Sequence, residues 1–173
     1  ARLLERAARE AAKRASQGDA HALRVFRGDA IQAAFSRLLA DRESLVWRHV
    51  AIARGLVAPW LPEPRRELEG SLSPDLSPTE WRRGATSIAA YGAVRPEDAE
   101  RLAVRVFKGE LVSKDPGVAG AFVWGLPRVA EAEPDAASLL LGLVLRSAPE
   151  EVADAVLYLR DELGPSHFYD GAA

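Results

Sequence analysis

The sequence predicts an all-α fold from three observations. The strong helix formers Ala, Leu, Glu and Arg dominate the composition. Apolar residues recur with the 3.6-residue period of a helix, and alternating, strand-like patterns are scarce. Proline and glycine residues divide the chain into segments of helical length. With 173 residues, of which 48% are hydrophobic and 28% charged, the chain is long enough to bury a core, and we expect one domain.

In the first half of the chain, start and stop signals place four helices. Leu4, Ala8 and Ala11 mark the apolar side of the first helix, and Gly18 ends it. Asp29 can cap the second. Prolines in residues 59–64 interrupt the chain after the third helix and leave room for a short fourth one. The predicted helices are 1–16, 29–40, 44–57 and 65–69.

In the second half, residues 77–80 form a capping box with proline at the first helical position, so a helix begins there. Pro96 and Pro134 start two more helices, and Asp115-Pro116 opens one that Pro127 should bend or interrupt. A second capping box at 147–150 precedes the last helix. The predicted helices are 77–94, 96–108, 115 onward, 133–146 and 147–163.

Composition and charge exclude several classes of function. The net charge of −2 is opposite to the positive excess of typical nucleic-acid-binding proteins. The lack of cysteine excludes thiolate metal sites and cysteine nucleophiles, and no two histidines have a metal-ligand spacing. No glycine-rich phosphate loop is present, and no apolar run approaches the roughly 20 residues that a bilayer requires. We therefore expect a cytoplasmic protein that is not an enzyme and has no cofactor or metal.

An internal repeat appears at an offset of 34 residues, where DRESLVWRHVA at 41–51 lies over DLSPTEWRRGA at 75–85. The shared template is a turn aspartate, five residues, Trp-Arg, two residues and Ala. A looser third copy begins at Asp115-Pro116. Separately, RVFRGD at 24–29 and RVFKGE at 105–110 each predict the end of a helix stopped by glycine.

The template resembles the HEAT-repeat family, in which a turn aspartate precedes a second helix that opens with an apolar residue and arginine. Asp41 with Trp47-Arg48 and Asp75 with Trp81-Arg82 fit that pattern, although tryptophan is larger than the family's usual residue. The resemblance implies an α-α superhelix, or solenoid, of about four helix pairs with an extra N-terminal helix. The expected parts of this one domain are an N-terminal helical cap at 1–28, HEAT-like repeats at 29–164 and a flexible tail at 165–173.

Two interpretations of the repeated Asp and Arg residues remain open. Asp41 and Asp75 can accept backbone N–H bonds at helix starts, while Arg48 and Arg82 pair with them or with the neighbouring repeat, as an internal ladder. Alternatively, these arginines, joined by Arg83 and Arg54, form a row that binds an acidic partner or phosphate.

Four residues are therefore candidates for contact with a partner, and they are Arg48, Arg82, Arg83 and Trp60. Trp60 is included because it lies in the proline-bounded stretch APWLPEP. We expect a non-enzymatic scaffold that binds another protein or another part of the same polypeptide, either as a separate chain or as a segment of a larger one. The alternative is a HEAT-like DNA-binding protein of the DNA glycosylase type, against which the net charge argues.

Overall fold

The structure, a computed structural model, describes residues 1–19, 21–108 and 111–147. Every regular element in these ranges is helical, which confirms the all-α prediction. The α-helices are α1 (Arg2–Ser16), α2 (Asp29–Leu39), α3 (Ser44–Val57), α4 (Pro62–Gly70), α5 (Pro78–Tyr91), α6 (Pro96–Lys108), α7 (Leu111–Lys114), α8 (Gly117–Val123), α9 (Leu126–Ala132) and α10 (Pro134–Ser147). Two 3₁₀ turns, Val25–Arg27 and Ala58–Trp60, precede α2 and α4. None of the helices in the described part of the chain is both long and apolar enough to cross a lipid bilayer.

Most helices begin and end close to their predicted bounds because their caps are local. The box at the start of α5 is formed, with Ser77 N donating to Glu80 Oε2 at 2.8 Å and Glu80 N donating to Ser77 Oγ at 3.3 Å. The helix expected from 115 is interrupted at Trp124-Gly125, just before Pro127, as predicted. Helix α4 is longer than expected, since its prolines occupy the first turn, where no N–H is needed.

Other predictions about helix bounds were wrong or lie outside the described residues. Helix α5 ends at Tyr91, three residues before the expected position 94. Helix α7 was not predicted. Most of the helix expected at 147–163, together with the tail at 165–173, lies outside the described residues.

The interpretation of RVFRGD as a helix end was wrong. Residues Val25–Arg27 form a 3₁₀ turn, and Gly28 is the N-cap of α2. Phe26 in this turn is buried and stacks on Phe35 of α2, with ring centroids 6.1 Å apart. The turn is therefore held by a contact with the following helix. By contrast, Arg105 to Lys108 of RVFKGE is the last turn of α6, as predicted.

Helices α3, α5 and α8 form a parallel row. On α5 and α8, Arg82 lies close to Gly117, and Thr86 lies close to Ala121 four residues further along each chain segment. The two helices therefore run in the same direction. Thr86 Oγ1 donates to the Ala121 carbonyl at 2.6 Å. Hydroxyl groups on α5 thus bond to both neighbours, because Ser87 Oγ donates to the Ala51 carbonyl of α3 at 2.8 Å.

Helices α3 and α5 approach each other unusually closely. A Cβ atom at Gly55 would lie 2.2 Å from the Ser87 carbonyl oxygen, so no larger residue fits there. The spacing of the row is therefore set by small residues, and its N-terminal ends come together at one edge of the molecule.

Helix α1 runs alongside α3, since Glu5 contacts His49 and Ala12 shares a cluster with Ile52 and Leu56, and it is part of the core. Ala8 is completely buried, and Ala12 shares a small apolar cluster with Ile52 and Leu56 of α3 and with Ala90 of α5. Its N-terminal half also reaches α9 through charged side chains. This placement brings the arginines of α1 close to those of the helix row.

Candidate functional site

Three of the four predicted contact residues lie around one cavity. Arg48, Arg82 and Arg83 line a cavity of about 710 Å³ at the N-terminal ends of α3, α5 and α8. The template explains the meeting of Arg48 and Arg82, because each is the fifth residue of its helix and the helices run parallel. The remaining lining residues are Asp41, Arg42, Ser44, Trp47, Thr79, Gly117, Gly120, Ala121 and Trp124. We call this space the arginine pocket.

Arg82 pairs with Asp115, in the turn before α8. Its Nε donates to Asp115 Oδ2 at 2.7 Å, and its Nη2 donates to Asp115 Oδ1 at 2.6 Å. The Asp115 side chain is 7% exposed and the Arg82 side chain 46% exposed, so one end of the pair is buried and the other faces the pocket. The hydrogen bonds to Asp115 raise the pKa of Arg82 above its ordinary value. Arg82 thus forms an internal ion pair of the kind that the ladder interpretation expected, whereas the ladder as a whole stays a prediction.

The aspartates of the repeat do not behave alike. Asp41 Oδ1 accepts from Glu43 N at 2.8 Å, and Asp115 Oδ1 accepts from Gly117 N at 3.2 Å, as expected of residues before a helix. The prediction was wrong for Asp75, which is exposed and whose own N–H donates to Ser73 Oγ at 3.4 Å. The N-terminal end of α5 is capped by Ser77, so no aspartate is needed to accept its backbone N–H bonds.

Arg48 is stacked on tryptophan. Its guanidinium carbon lies 4.1 Å from the ring centroid of Trp124 and 5.5 Å from that of Trp47. Such contacts hold the planar cation in place while leaving its edges able to donate hydrogen bonds. Trp124 is the C-cap residue of α8.

Arg83 and Arg42 complete the cationic side of the pocket. Arg83 Nη2 donates to the Asp41 carbonyl at 3.3 Å, whereas its Nε is buried without a hydrogen-bond acceptor among the described residues. Burial lowers the pKa of Arg83, and the nearby Glu80 carboxylate opposes that shift. Arg42 was missed by the sequence analysis, since it lies in a turn and no periodic pattern distinguishes it.

Trp60 lies elsewhere. It ends the 3₁₀ turn before α4 and is partly buried against apolar side chains of α1 and α3. It does not line the arginine pocket. Its role as a contact residue stays a prediction that is separate from the three arginines.

A second cavity of about 400 Å³ lies beside the first, between α1, α3 and α9. We call it the α1 pocket. Arg48 and Trp124 line both cavities. Four further arginines line the α1 pocket, and they are Arg2, Arg6, Arg9 and Arg128.

At the base of the α1 pocket is a buried carboxylate. Glu5 is 3% exposed, and its Oε1 accepts from Arg128 Nε at 2.7 Å. Its Oε2 lies 2.5 Å from His49 Nδ1, and Arg2 Nε donates to the other ring nitrogen of His49 at 3.3 Å. With Nε2 as the acceptor, the ring proton is on Nδ1 and points to Glu5. This arrangement gives His49 a structural role, in which it links Glu5 to Arg2.

Within the described residues, no group of three or more His, Asp or Glu side chains is placed to hold a metal ion. Comparisons with family models, with curated proteins and with solved structures find no match to this chain. What the two pockets bind therefore has to be inferred from their own residues.

Proposed function

We propose that this chain is a non-enzymatic, HEAT-like interaction module whose arginine pocket binds an acidic segment of another protein or of its own polypeptide. The observation that carries the proposal is the convergence of Arg42, Arg48, Arg82 and Arg83 on one cavity in a chain whose net charge is −2. The arginine pocket thus concentrates positive charge, and this charge favours the binding of an anionic partner.

The parallel row of α3, α5 and α8 supports the proposed solenoid of HEAT-like helix pairs. In such a stack, equivalent residues of successive repeats come to one edge, as Arg48 and Arg82 do. The ion pair from Arg82 to Asp115 joins one proposed repeat to the next. The division into cap, repeats and tail, and a cytoplasmic location, stay predictions.

The state of the arginines suits carboxylate recognition. Within the described residues Arg42 makes no ion pair, and Arg83 has a buried Nε without an acceptor. Arg42 is exposed and therefore has hydrogen-bonding capacity that a carboxylate can use, whereas the buried Nε of Arg83 does not face the solvent. Arg48 is held in a fixed position by the two indoles, so less side-chain entropy is lost when a ligand binds.

The DNA-binding alternative is favoured by the same concentration of arginine but opposed by the tryptophans. Trp47 is 7% exposed, and Arg48 covers Trp124. A base therefore cannot stack on the buried Trp47, and one face of Trp124 is already occupied by Arg48. An acidic peptide needs no such platform, so we favour the protein partner. Unchanged mobility of duplex DNA in a gel shift at low salt would exclude the alternative.

The proposal is tested with a fluorescein-labelled peptide of twelve residues that alternates Glu and Ser, measured by fluorescence anisotropy at low ionic strength, where charge pairs are least screened. We expect saturable binding, and none by the matching Gln-Ser peptide. Arg42→Glu should weaken binding at least tenfold. The control Arg37→Glu changes the net charge equally at an exposed position on α2, outside the pocket, and should change affinity less than twofold. Equal effects of both variants would refute the proposed site.

A further inference from the structure

We infer that the arginine pocket and the α1 pocket form one continuous track, and that its ligand is an extended acidic peptide rather than a single anionic group. This inference rests on the proposed function and specifies its partner. Its basis is that Arg48 and Trp124 line both cavities. The two cavities adjoin at this stacked pair, so a ligand that reaches the edge of Arg48 in one pocket can extend past it into the other.

The α1 pocket has cations that the fold does not neutralise. Glu5 already serves Arg128 and His49, and Glu131 pairs with Arg9 at 3.1 Å. Within the described residues, no carboxylate forms an ion pair with Arg2 or Arg6. Both are exposed, so neither is needed to compensate a buried charge. Arg6, and the terminal amino groups of Arg2, whose Nε donates to His49, are therefore available to a ligand.

The dimensions of the track suit a peptide. Arg2 and Arg9 are seven residues apart on α1, which corresponds to about 10 Å at the rise of an α-helix. Three adjacent helices spaced by about 8–10 Å extend the arginine pocket over roughly 16–20 Å. An extended chain advances about 3.3–3.6 Å per residue, so roughly seven to nine residues cover both pockets. A single carboxylate or phosphate would contact only one end.

The carboxylates within the track disfavour a uniformly charged polymer. Asp41 lines one pocket and Glu5 the other. A nucleic-acid strand carries a phosphate at every nucleotide and would meet the Asp41 carboxylate along with the arginines, whereas Glu5 is buried and already paired. A peptide can place acidic residues only where an arginine is available and neutral residues opposite the carboxylates. The pattern of charge therefore favours a peptide with spaced acidic residues.

The test compares labelled Glu-Ser peptides of four and twelve residues, each against the wild type and the double variant Arg2→Ala/Arg6→Ala. The control is Arg24→Ala/Arg27→Ala, which removes the same charge at exposed positions outside both pockets. We expect the long peptide to bind the wild type at least tenfold more tightly than the short one. The α1 variant should weaken the long peptide at least fivefold and the short peptide less than twofold.

Each possible result supports or overturns the inference. Equal affinity of the two peptides, or equal effects of the α1 variant and its control, would overturn the track and leave the arginine pocket as the proposed site. Binding of neither peptide would overturn the proposed function as well. Tighter binding of a twelve-nucleotide oligothymidine than of the long peptide at the same salt concentration would replace the peptide with nucleic acid.

Discussion

Arg82 and Asp115 form an ion pair through two parallel hydrogen bonds, of 2.7 and 2.6 Å, that joins α5 to the turn before α8. Two-pronged pairs of this kind fix orientation as well as distance. The same aspartate accepts the N–H of Gly117, so one buried carboxylate holds both the start of α8 and its neighbour in the row. The pair also positions the rim of the arginine pocket.

Replacing Arg82 with alanine should lower the free energy of unfolding by about 1–3 kcal/mol, because Asp115 loses two charge-assisted hydrogen bonds. We expect less than the roughly 3–5 kcal/mol of a fully buried pair, since the Arg82 side chain is 46% exposed. Urea denaturation measures the change. Arg101→Ala removes an exposed pair with Asp98 and should have an effect below about 1 kcal/mol. A similar decrease in the free energy of unfolding in the two variants would show that burial of Asp115 does not make its ion pair more stabilising than an exposed one.

Glycine should be required at position 117 only because the Arg82 side chain occupies the space that a larger residue would need. A Cβ atom at this position would lie 2.7 Å from the guanidinium carbon of Arg82, so alanine must displace the arginine. We expect Gly117→Ala to destabilise the wild type by about 1 kcal/mol or more, as the ion pair is disturbed. In the Arg82→Ala background the same change should be neutral or stabilising, since alanine favours helix over glycine. Equal destabilisation in both backgrounds would contradict this explanation.

The sequence predicted what depends on neighbours along the chain. The capping box at Ser77 and the proline starts of α6 and α10 are local signals, and those helices begin where expected. The repeat template also placed Arg48 and Arg82 at equivalent positions. It could not show which aspartate each arginine uses, because that choice depends on how the helices stack.

Contacts between distant segments were not predictable. The buried Glu5 is 44 residues from His49 and 123 residues from Arg128, and no periodic pattern links the three. The α1 pocket therefore has no signal in the sequence beyond the arginines themselves. Trp60 was chosen for its proline-rich surroundings, but those prolines form a 3₁₀ turn and the first turn of α4.

Glu5 should be the most important charged residue for the packing of α1. Glu5→Ala leaves His49 and the largely buried Arg128 without their carboxylate, and we expect a loss of about 3 kcal/mol in the free energy of unfolding. Glu10→Ala, at an exposed position on the same helix, should change it by less than about 0.5 kcal/mol. Denaturation curves of the two variants decide the point. A loss in Glu5→Ala no larger than that in Glu10→Ala would mean that the alanines of α1 alone hold it in place.

Acidification should weaken the start of α5 through Glu80. Hydrogen bonds from Ser77 lower the pKa of Glu80 below its ordinary value of 4.5. A carboxyl whose pKa is depressed by folding stabilises the folded state above its unfolded pKa, and this contribution disappears as the pH falls through the folded value. Glu80→Gln should therefore lose less stability than the wild type between pH 5 and about pH 3. Parallel pH profiles for the two proteins would contradict the assignment.

The central claim is that an acidic peptide binds in the arginine pocket, and the four tryptophans report on it directly. Trp47 and Trp124 line the pocket, whereas Trp81 donates its indole N–H to the Ser73 carbonyl at 2.9 Å and Trp60 lies among side chains of α1 and α3. The measurement is a titration of ¹⁵N-labelled protein with the unlabelled Glu-Ser peptide, following the indole N–H signals by NMR. We predict that the signals of Trp47 and Trp124 shift with saturation while those of Trp60 and Trp81 stay in place. Shifts confined to Trp60 or Trp81, or no shifts at peptide concentrations that saturate the anisotropy signal, would contradict the claim.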